Sequence, residues 1–225
     1  MTEIADAFGG VAKQYDQARS ALIPDYDHLY GNAVAALSDH LDAGGHVLDI
    51  GTGTGAFASE LANAEPKCTF LLSDISHGML NEARKKFDGD ARFDFMHGDI
   101  TGVELPGPFD AVKSSFVIHH FSHEDKANVF SSVAQALKPG GLFVNIDQFT
   151  TGHDHHDAQL RADWERDVRK VGIDEGDLTA AIDRMDAFDQ NASIDDQLTW
   201  MLEGGFKSAE ITYKNYFWGV FVART

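Results

Sequence analysis

The sequence predicts an α/β fold: a seven-stranded, mostly parallel sheet with helices on both faces, ending in an antiparallel hairpin. Three observations carry that expectation. Short apolar runs alternate with longer amphipathic stretches through the middle of the chain, the pattern of βα units around a parallel sheet. The first of those runs ends in glycines that open a helix, and the end of the chain holds two apolar runs joined by a short turn. At 225 residues, with 43% hydrophobic and 11% aromatic residues, the chain is long enough for one large domain with a sizeable core.

The elements follow in order. Residues 1 to 44 read as helices, with Pro24 starting or breaking one. The strands are expected at His46 to Ile50 (HVLDI), Thr69 to Ser73 (TFLLS), Arg92 to Met96 (RFDFM), Phe109 to Ser114 (FDAVKS) and Gly141 to Asp147 (GLFVNID). Between them lie helices at Ala56 to Ala64, His77 to Phe87 and His123 to Leu137, the last closed by Lys138-Pro139-Gly140-Gly141 as a helix stop feeding a strand. Residues 151 to 196 read as acidic helices without strand-like runs. Ser208 to Tyr213 (SAEITY) and Tyr216 to Ala223 (YFWGVFVA) read as two strands joined at Lys214-Asn215. The expected single domain therefore divides into an N-terminal helical lid (1–44), a core (45–150), a helical cap insertion (151–196) and a C-terminal hairpin (197–225).

Composition narrows the partners. Eighteen Lys and Arg against 36 Asp and Glu give a formal charge of −18, which opposes tracking along a phosphate backbone and makes nucleic acid a poor partner. The single cysteine, Cys68, forbids an intrachain disulfide and a cysteine-based zinc finger, as suits a reducing compartment. The first residues lack the basic start and apolar core of a secretory signal, and no run approaches 18 uninterrupted apolar residues, so a cytoplasmic protein without a membrane partner is expected.

The most informative segment is Val47-Leu48-Asp49-Ile50-Gly51-Thr52-Gly53-Thr54-Gly55-Ala56. A strand that ends in glycines and opens a helix lets backbone N–H groups approach a ligand, and the helix N-terminus adds partial positive charge. The spacing of Gly51, Gly53 and Ala56 also satisfies the dinucleotide fingerprint, and Asp74 at the end of the next strand suits a carboxylate gripping ribose hydroxyls in either case. Three details favour S-adenosylmethionine. Asp49 puts a carboxylate at the cleft mouth, where it repels a pyrophosphate and holds a ligand with an ammonium group. Asp99, in His97-Gly98-Asp99-Ile100, can accept a hydrogen bond from an adenine amino group. The terminal hairpin adds an antiparallel strand, an ending expected of methyltransferases rather than dehydrogenases.

From Val47 to Arg224 the chain resembles a class I S-adenosylmethionine-dependent methyltransferase, with its Rossmann-like sheet. DIGTGTG matches the family's first motif, LLSDIS its second, HGDI its third, FDAVKSSFVIHHF its fourth, and LKPGGLFVNID the segment before the fifth strand. VAKQYDQARSALIPDYDHLY is similar to the N-terminal helices of small-molecule members, whose YD-x-x-R element covers the cofactor. The resemblance implies that Gly51, Thr52 and Gly53 line the methionine part, with Asp49 near its amino group. It implies Asp74 on the ribose, Ile75 and Met79 bordering the adenine, Asp99 and Ile100 at its edge, and Ser115 and Phe116 on the floor. Tyr15 and Arg19 match the lid element and would hold the methionine carboxylate or the substrate.

Other candidates lie outside those motifs. His119 and His120, near the end of the fourth strand, are the catalytic candidates, either to touch cofactor or acceptor or to fix the loop. His123 reads as a structural helix start. His153-Asp154-His155-His156-Asp157 has metal-friendly side chains without the spacing of a defined site, and no metal is expected. Among Trp164, Phe188, Trp200 and Trp218, whose spacing suits a core, Trp164 is the candidate to face the substrate. The expected activity is transfer of a methyl group to a small-molecule acceptor by direct displacement at the sulfonium. The rival readings are a tRNA- or protein-modifying methyltransferase and a non-catalytic S-adenosylmethionine-binding protein.

Overall fold

In the computed structural model, the structure describes residues 21–41 and 44–225. The expected lid residues Tyr15 and Arg19 lie outside them.

Five runs form a parallel sheet: β1 (His46–Ile50), β2 (Thr69–Asp74), β3 (Phe93–His97), β4 (Phe109–Ser115) and β5 (Leu137–Gln148). β1, β4 and β5 are largely buried on both faces, as parallel strands require, and β3 lies at an edge and is more exposed. Two more, β6 (Ser208–Asn215) and β7 (Trp218–Arg224), complete a seven-stranded sheet in the order β3-β2-β1-β4-β5-β7-β6. β7 is antiparallel to both its neighbours. β6, at the sheet edge, alternates exposed and half-buried residues, as a strand wetted on one side does. The helices are α1 (Tyr26–Ser38), α2 (Ala56–Ala64), α3 (His77–Lys86), α4 (His123–Ala136), α5 (Asp154–Val171), α6 (Glu175–Phe188) and α7 (Ile194–Glu203).

Alternation along the strands sends side chains into two cores, one on each face of the sheet. Val47, Phe70, Ala111 and Val144 pack with Leu29, Tyr30 and Leu37 of α1, Phe57 and Leu61 of α2, and Trp164 of α5. Leu48, Val112, Phe143 and Phe221 pack with Val129, Phe130 and Val133 of α4 and Met201 of α7. Side-chain caps fix where the helices begin. Ser76, Ser122, Asp174 and Ser193 accept backbone N–H groups of α3, α4, α6 and α7, a device typically worth about 1 kcal/mol each. Among the described residues no helix is long and apolar enough to cross a membrane.

The structure moves some expected boundaries. α4 ends at Ala136, and the following residues, Leu137 to Gly141, begin β5 rather than forming a separate stop; Phe109 pairs with Leu137 before the register jumps to Ala111 and Leu142. The hairpin turns at Tyr216-Phe217, not at Lys214-Asn215. Asn215 still pairs with Trp218, and Tyr216 takes a left-handed φ of 49°. α7 crosses the expected border between cap and hairpin at residue 196.

Strand order reverses beside β1, whose neighbours are β2 on one side and β4 on the other. In an open α/β sheet that point opens a crevice at the strands' carboxyl ends.

Candidate active site

The crevice floor is built by the turn after β1. Gly51 sits at φ 62°, and a Cβ there would stand 2.2 Å from a Val117 methyl, so the turn closes only around glycine. Gly53, at φ 58°, has none of the described residues beyond its chain neighbours within 4 Å of the position a Cβ would take. The backbone is thus tight against the β4 loop at Gly51 and clear of the described residues at Gly53.

Asp74 ties this turn to β2. It is 9% exposed, and its two oxygens accept the Ser76 N–H at 2.7 Å and the Gly53 N–H at 2.8 Å. Burial pushes its carboxyl above the usual Asp range, against the pull of those two N–H groups. Half-buried Ile75 and buried Met79 follow. At the next strand end, Asp99 Oδ1 accepts both the N–H and the hydroxyl of Thr101, at 2.9 and 2.7 Å, and Ile100 is buried. His97 Nε2 donates to the Ile75 carbonyl at 2.9 Å, and the ring stacks on His77 with ring centres 3.5 Å apart.

Asp49 departs from its expected place. Instead of standing at the open mouth it is buried, with Oδ2 2.7 Å from the Lys113 ammonium and accepting the Thr52 hydroxyl at 2.7 Å. Lys113 is fully enclosed, and its ammonium lies 4.0 Å from the centre of the Phe57 ring. A lysine in the middle of β4, beside Val112, was the one sequence signal for this pair. A buried cation needs a partner, and the paired carboxylate is the strand-end acid.

After β4 the chain turns sharply into the crevice. Ser115 Oγ lies 3.3 Å from the Tyr30 hydroxyl of α1. Phe116 takes a φ of 56°, a strained value for a large side chain and one that clusters at functional sites. A 3-10 turn (Ile118–His120) then carries both candidate histidines.

Their surroundings were not foreseen. His119 is 3% exposed; Nδ1 lies 2.5 Å from Asp147 Oδ1, and its backbone N–H donates to Asp147 Oδ2 at 3.1 Å. Its Nε2 faces Asp189 Oδ1 at 3.4 Å, and His120 Nδ1 faces the same oxygen at 3.3 Å. Asp147 is the last residue but one of β5, whereas Asp189 follows α6, so the cluster joins the sheet to the cap. Burial opposes the imidazolium, but Asp147 and Asp189 outweigh it and hold the His119 pKa up at about 9. Burial, and then the His119 charge, pushes His120 down. Beside them Lys126 donates to the carbonyls of His119, Phe121 and Gln190, and burial lowers its pKa to about 8. Both ring nitrogens of His119 face carboxylates, which withdraws it from the role of a free general base. Asp147, Asp189 and Lys126 were missed because nothing local in the sequence pairs them.

Trp164 is also corrected. It is 1% exposed, donates from Nε1 to the Leu22 carbonyl at 2.7 Å, and meets Phe217 and Trp218 edge to face. It pins the cap to the sheet rather than facing a substrate. The residues from His153 to His156 are exposed, and His123 rests against Trp200. Among the described residues only His119, His120 and Asp189 bring three metal-competent atoms within 4.8 Å of one another.

Comparison with known proteins adds to this geometry. Residues 47–141 match a family model described as a methyltransferase domain. The chain is 31% identical over 150 residues to a demethylmenaquinone methyltransferase of Clavibacter sepedonicus, covering 66% of this chain and 59% of that protein. It is 30% identical over 141 residues to a ubiquinone/menaquinone biosynthesis C-methyltransferase of Desulfotalea psychrophila, covering 62% and 56%. The chain thus spans under two thirds of the length of these two relatives. Human N-acetylserotonin methyltransferase, solved in complex with S-adenosylmethionine, superposes with a TM-score of 0.62 at 19% identity, over 96% of this chain and 56% of that one.

Proposed function

We propose that the chain, whose residues 47–141 match a methyltransferase domain, is a class I S-adenosylmethionine-dependent methyltransferase that methylates a small-molecule acceptor held under the helical cap. The observation that carries the reading is the turn Gly51 to Gly55 bound to Asp74, with space over Gly53 that none of the described residues fills. That space fits a nucleoside cofactor: a carboxylate stands at one side and bare backbone beneath.

When bound, S-adenosylmethionine supplies an electrophilic methyl group on a sulfonium. The roles proposed for this chain's residues extend the motif resemblance. Asp74 would accept the ribose hydroxyls; Ile75 and Met79 would flank the adenine, and Asp99 and Ile100 would border its edge. Gly51, Thr52 and Gly53 would line the methionine part. Asp49, already paired with Lys113, holds the turn in shape instead of meeting the cofactor's ammonium as a free charge. Ser115 and Phe116 close the floor, and His119 and His120 position the loop facing the acceptor. No side-chain base is required, because alignment of two reactants can itself be worth about 7 to 11 kcal/mol.

A small acceptor is supported by two observations. The quinone-pathway relatives bear names of small-molecule enzymes, and the formal charge of −18 opposes a nucleic-acid substrate. The test is transfer of labelled methyl from S-adenosylmethionine into a metabolite extract, read as a mass gain of one methylene unit. Transfer into a small molecule supports the proposal. Transfer only into RNA or protein refutes the acceptor class. Cofactor binding with no transfer to any fraction identifies a binding protein instead.

A further inference from the structure

We propose that His119, His120 and Asp189 form a binding site for one divalent transition-metal ion of the zinc class, bridging the helical cap to the turn after β4. This goes beyond the methyl-transfer reading and does not depend on it.

Distances favour a central ion over a hydrogen bond. His119 Nε2 and His120 Nδ1 both face Asp189 Oδ1, at 3.4 and 3.3 Å. Good N–H···O bonds run at about 2.7 to 3.2 Å. Two ligands at about 2.0 to 2.2 Å from a tetrahedral zinc stand roughly 3.3 to 3.6 Å apart. One ligand atom from each of the three residues lies within 4.8 Å of the other two.

The surroundings have the form that metal ligands require. His119 uses its other nitrogen on Asp147, which also accepts the backbone N–H groups of His119 and Gln148 and the Asn145 amide. A carboxylate behind a ligand imidazole fixes the ring and raises its basicity. The second oxygen of Asp189 accepts the Gln148 amide at 2.9 Å. Asp147 and Asp189 together balance a dication, and the neighbouring Lys126 ammonium is occupied by three carbonyl oxygens. Two imidazoles and one carboxylate suit zinc, cobalt or iron(II), with one or more positions left for water or an acceptor oxygen.

The experiment uses the full chain without a histidine tag, stripped by chelator and titrated with Co²⁺ as a spectroscopic stand-in for zinc. One equivalent should bind with visible ligand-field bands, and zinc should displace it and raise the melting temperature. Asp189→Asn and His120→Ala should lose the bands, and Asp147→Asn should weaken affinity about 10- to 100-fold. A His153→Ala/His156→Ala variant should keep them, which separates the buried site from surface histidines. Absence of stoichiometric Co²⁺ and Zn²⁺ binding by the parent protein overturns the proposal and leaves His119 as a protonated bridge. Bands kept in Asp189→Asn and His120→Ala, or lost in the His153/His156 variant, also overturn it. All readouts are independent of turnover, so a metal can fail while methyl transfer stands, and the reverse.

Discussion

Replacing Lys113 with methionine isolates the buried charge pair beneath the glycine turn. Methionine keeps the length of the chain against Phe57 but removes the ammonium 2.7 Å from Asp49 Oδ2. Both side chains are almost wholly enclosed, so water cannot screen the charge left behind. Breaking a buried pair from one side typically costs about 3 to 5 kcal/mol. For a chain of this size, each kcal/mol moves the melting temperature by about 2 to 4 °C, giving a fall of roughly 6 to 20 °C for Lys113→Met. Removing both charges together, in Asp49→Asn/Lys113→Met, leaves the Thr52 hydroxyl an amide oxygen to donate to. The double variant should therefore recover most of the loss, since a neutral pair of similar size often matches a buried ion pair. Urea and thermal melts of the four proteins form the cycle. A single variant that loses under about 1 kcal/mol, or two losses that simply add, refutes the pairing as the support of the turn.

Three further outcomes follow from named contacts. Gly51→Ala forces a Cβ to 2.2 Å from Val117 at a φ of 62°, so it should destabilise by about 2 to 4 kcal/mol. Adding Val117→Ala should return the steric share; an unrelieved loss would put the cost in the backbone alone. Burial holds the Asp74 carboxyl above the ordinary value near 4, and the ribose hydroxyls prefer its ionised form. Affinity for S-adenosylhomocysteine, measured by calorimetry, should thus be full above that raised pKa and fall as pH drops through it, while Asp74→Asn should bind weakly with a flat profile. The sign for stability of the free protein is opposite, because the folded pKa is raised: its share is present at acid pH and lost as pH rises through the folded value. A parent profile that stays flat down to about pH 4 would count against this ribose partner. Lastly, S-adenosylhomocysteine should raise the melting temperature at concentrations where NAD leaves it unchanged; a shift with NAD alone would reverse the cofactor assignment.

How far the sequence reveals this molecule depends on the range of the interactions involved. β1 and α2 appear at their expected residues because their signals, an apolar run and a glycine-opened helix, are local. The hairpin turn is displaced because its register is fixed from outside: Tyr213 donates to Asp25 and Asn215 to the Pro24 carbonyl, bonds that span 188 and 191 residues. Phe109 to Ser115 announces a strand but not that its lysine meets Asp49, which lies 64 residues earlier on the neighbouring strand. The His119 cluster is least legible. Asp147 is 28 residues away, and Asp189 reaches the site from the far end of the cap, so no spacing rule joins them. Trp164 misleads for a related reason: an aromatic in a solvated acidic helix suggests a pocket, while only the fold brings Leu22 and Phe217 around it.

These contacts also change why a sulfonium nucleoside suits the crevice better than a dinucleotide. From sequence, the strand-end acids look like a row of free negative charges. In the fold, Asp49 is offset by Lys113 and Asp99 is bound to Thr101, so the row is largely spent. The hydrogen-bond donors provide a stronger basis for discrimination. A pyrophosphate is held by backbone N–H groups pointing out of the glycine turn. Here the Thr52 N–H donates to the Ser73 carbonyl, the Gly53 N–H to Asp74 and the Gly55 N–H to the Thr52 carbonyl. The turn has turned three donors inward, so a phosphate would have to break those bonds and also face Asp74 across Gly53. A ligand without phosphates needs none of them. The glycines that satisfy both fingerprints therefore serve different ends: in this chain they let the backbone fold onto its own acceptors, and at Gly53 none of the described residues fills the space a side chain would take.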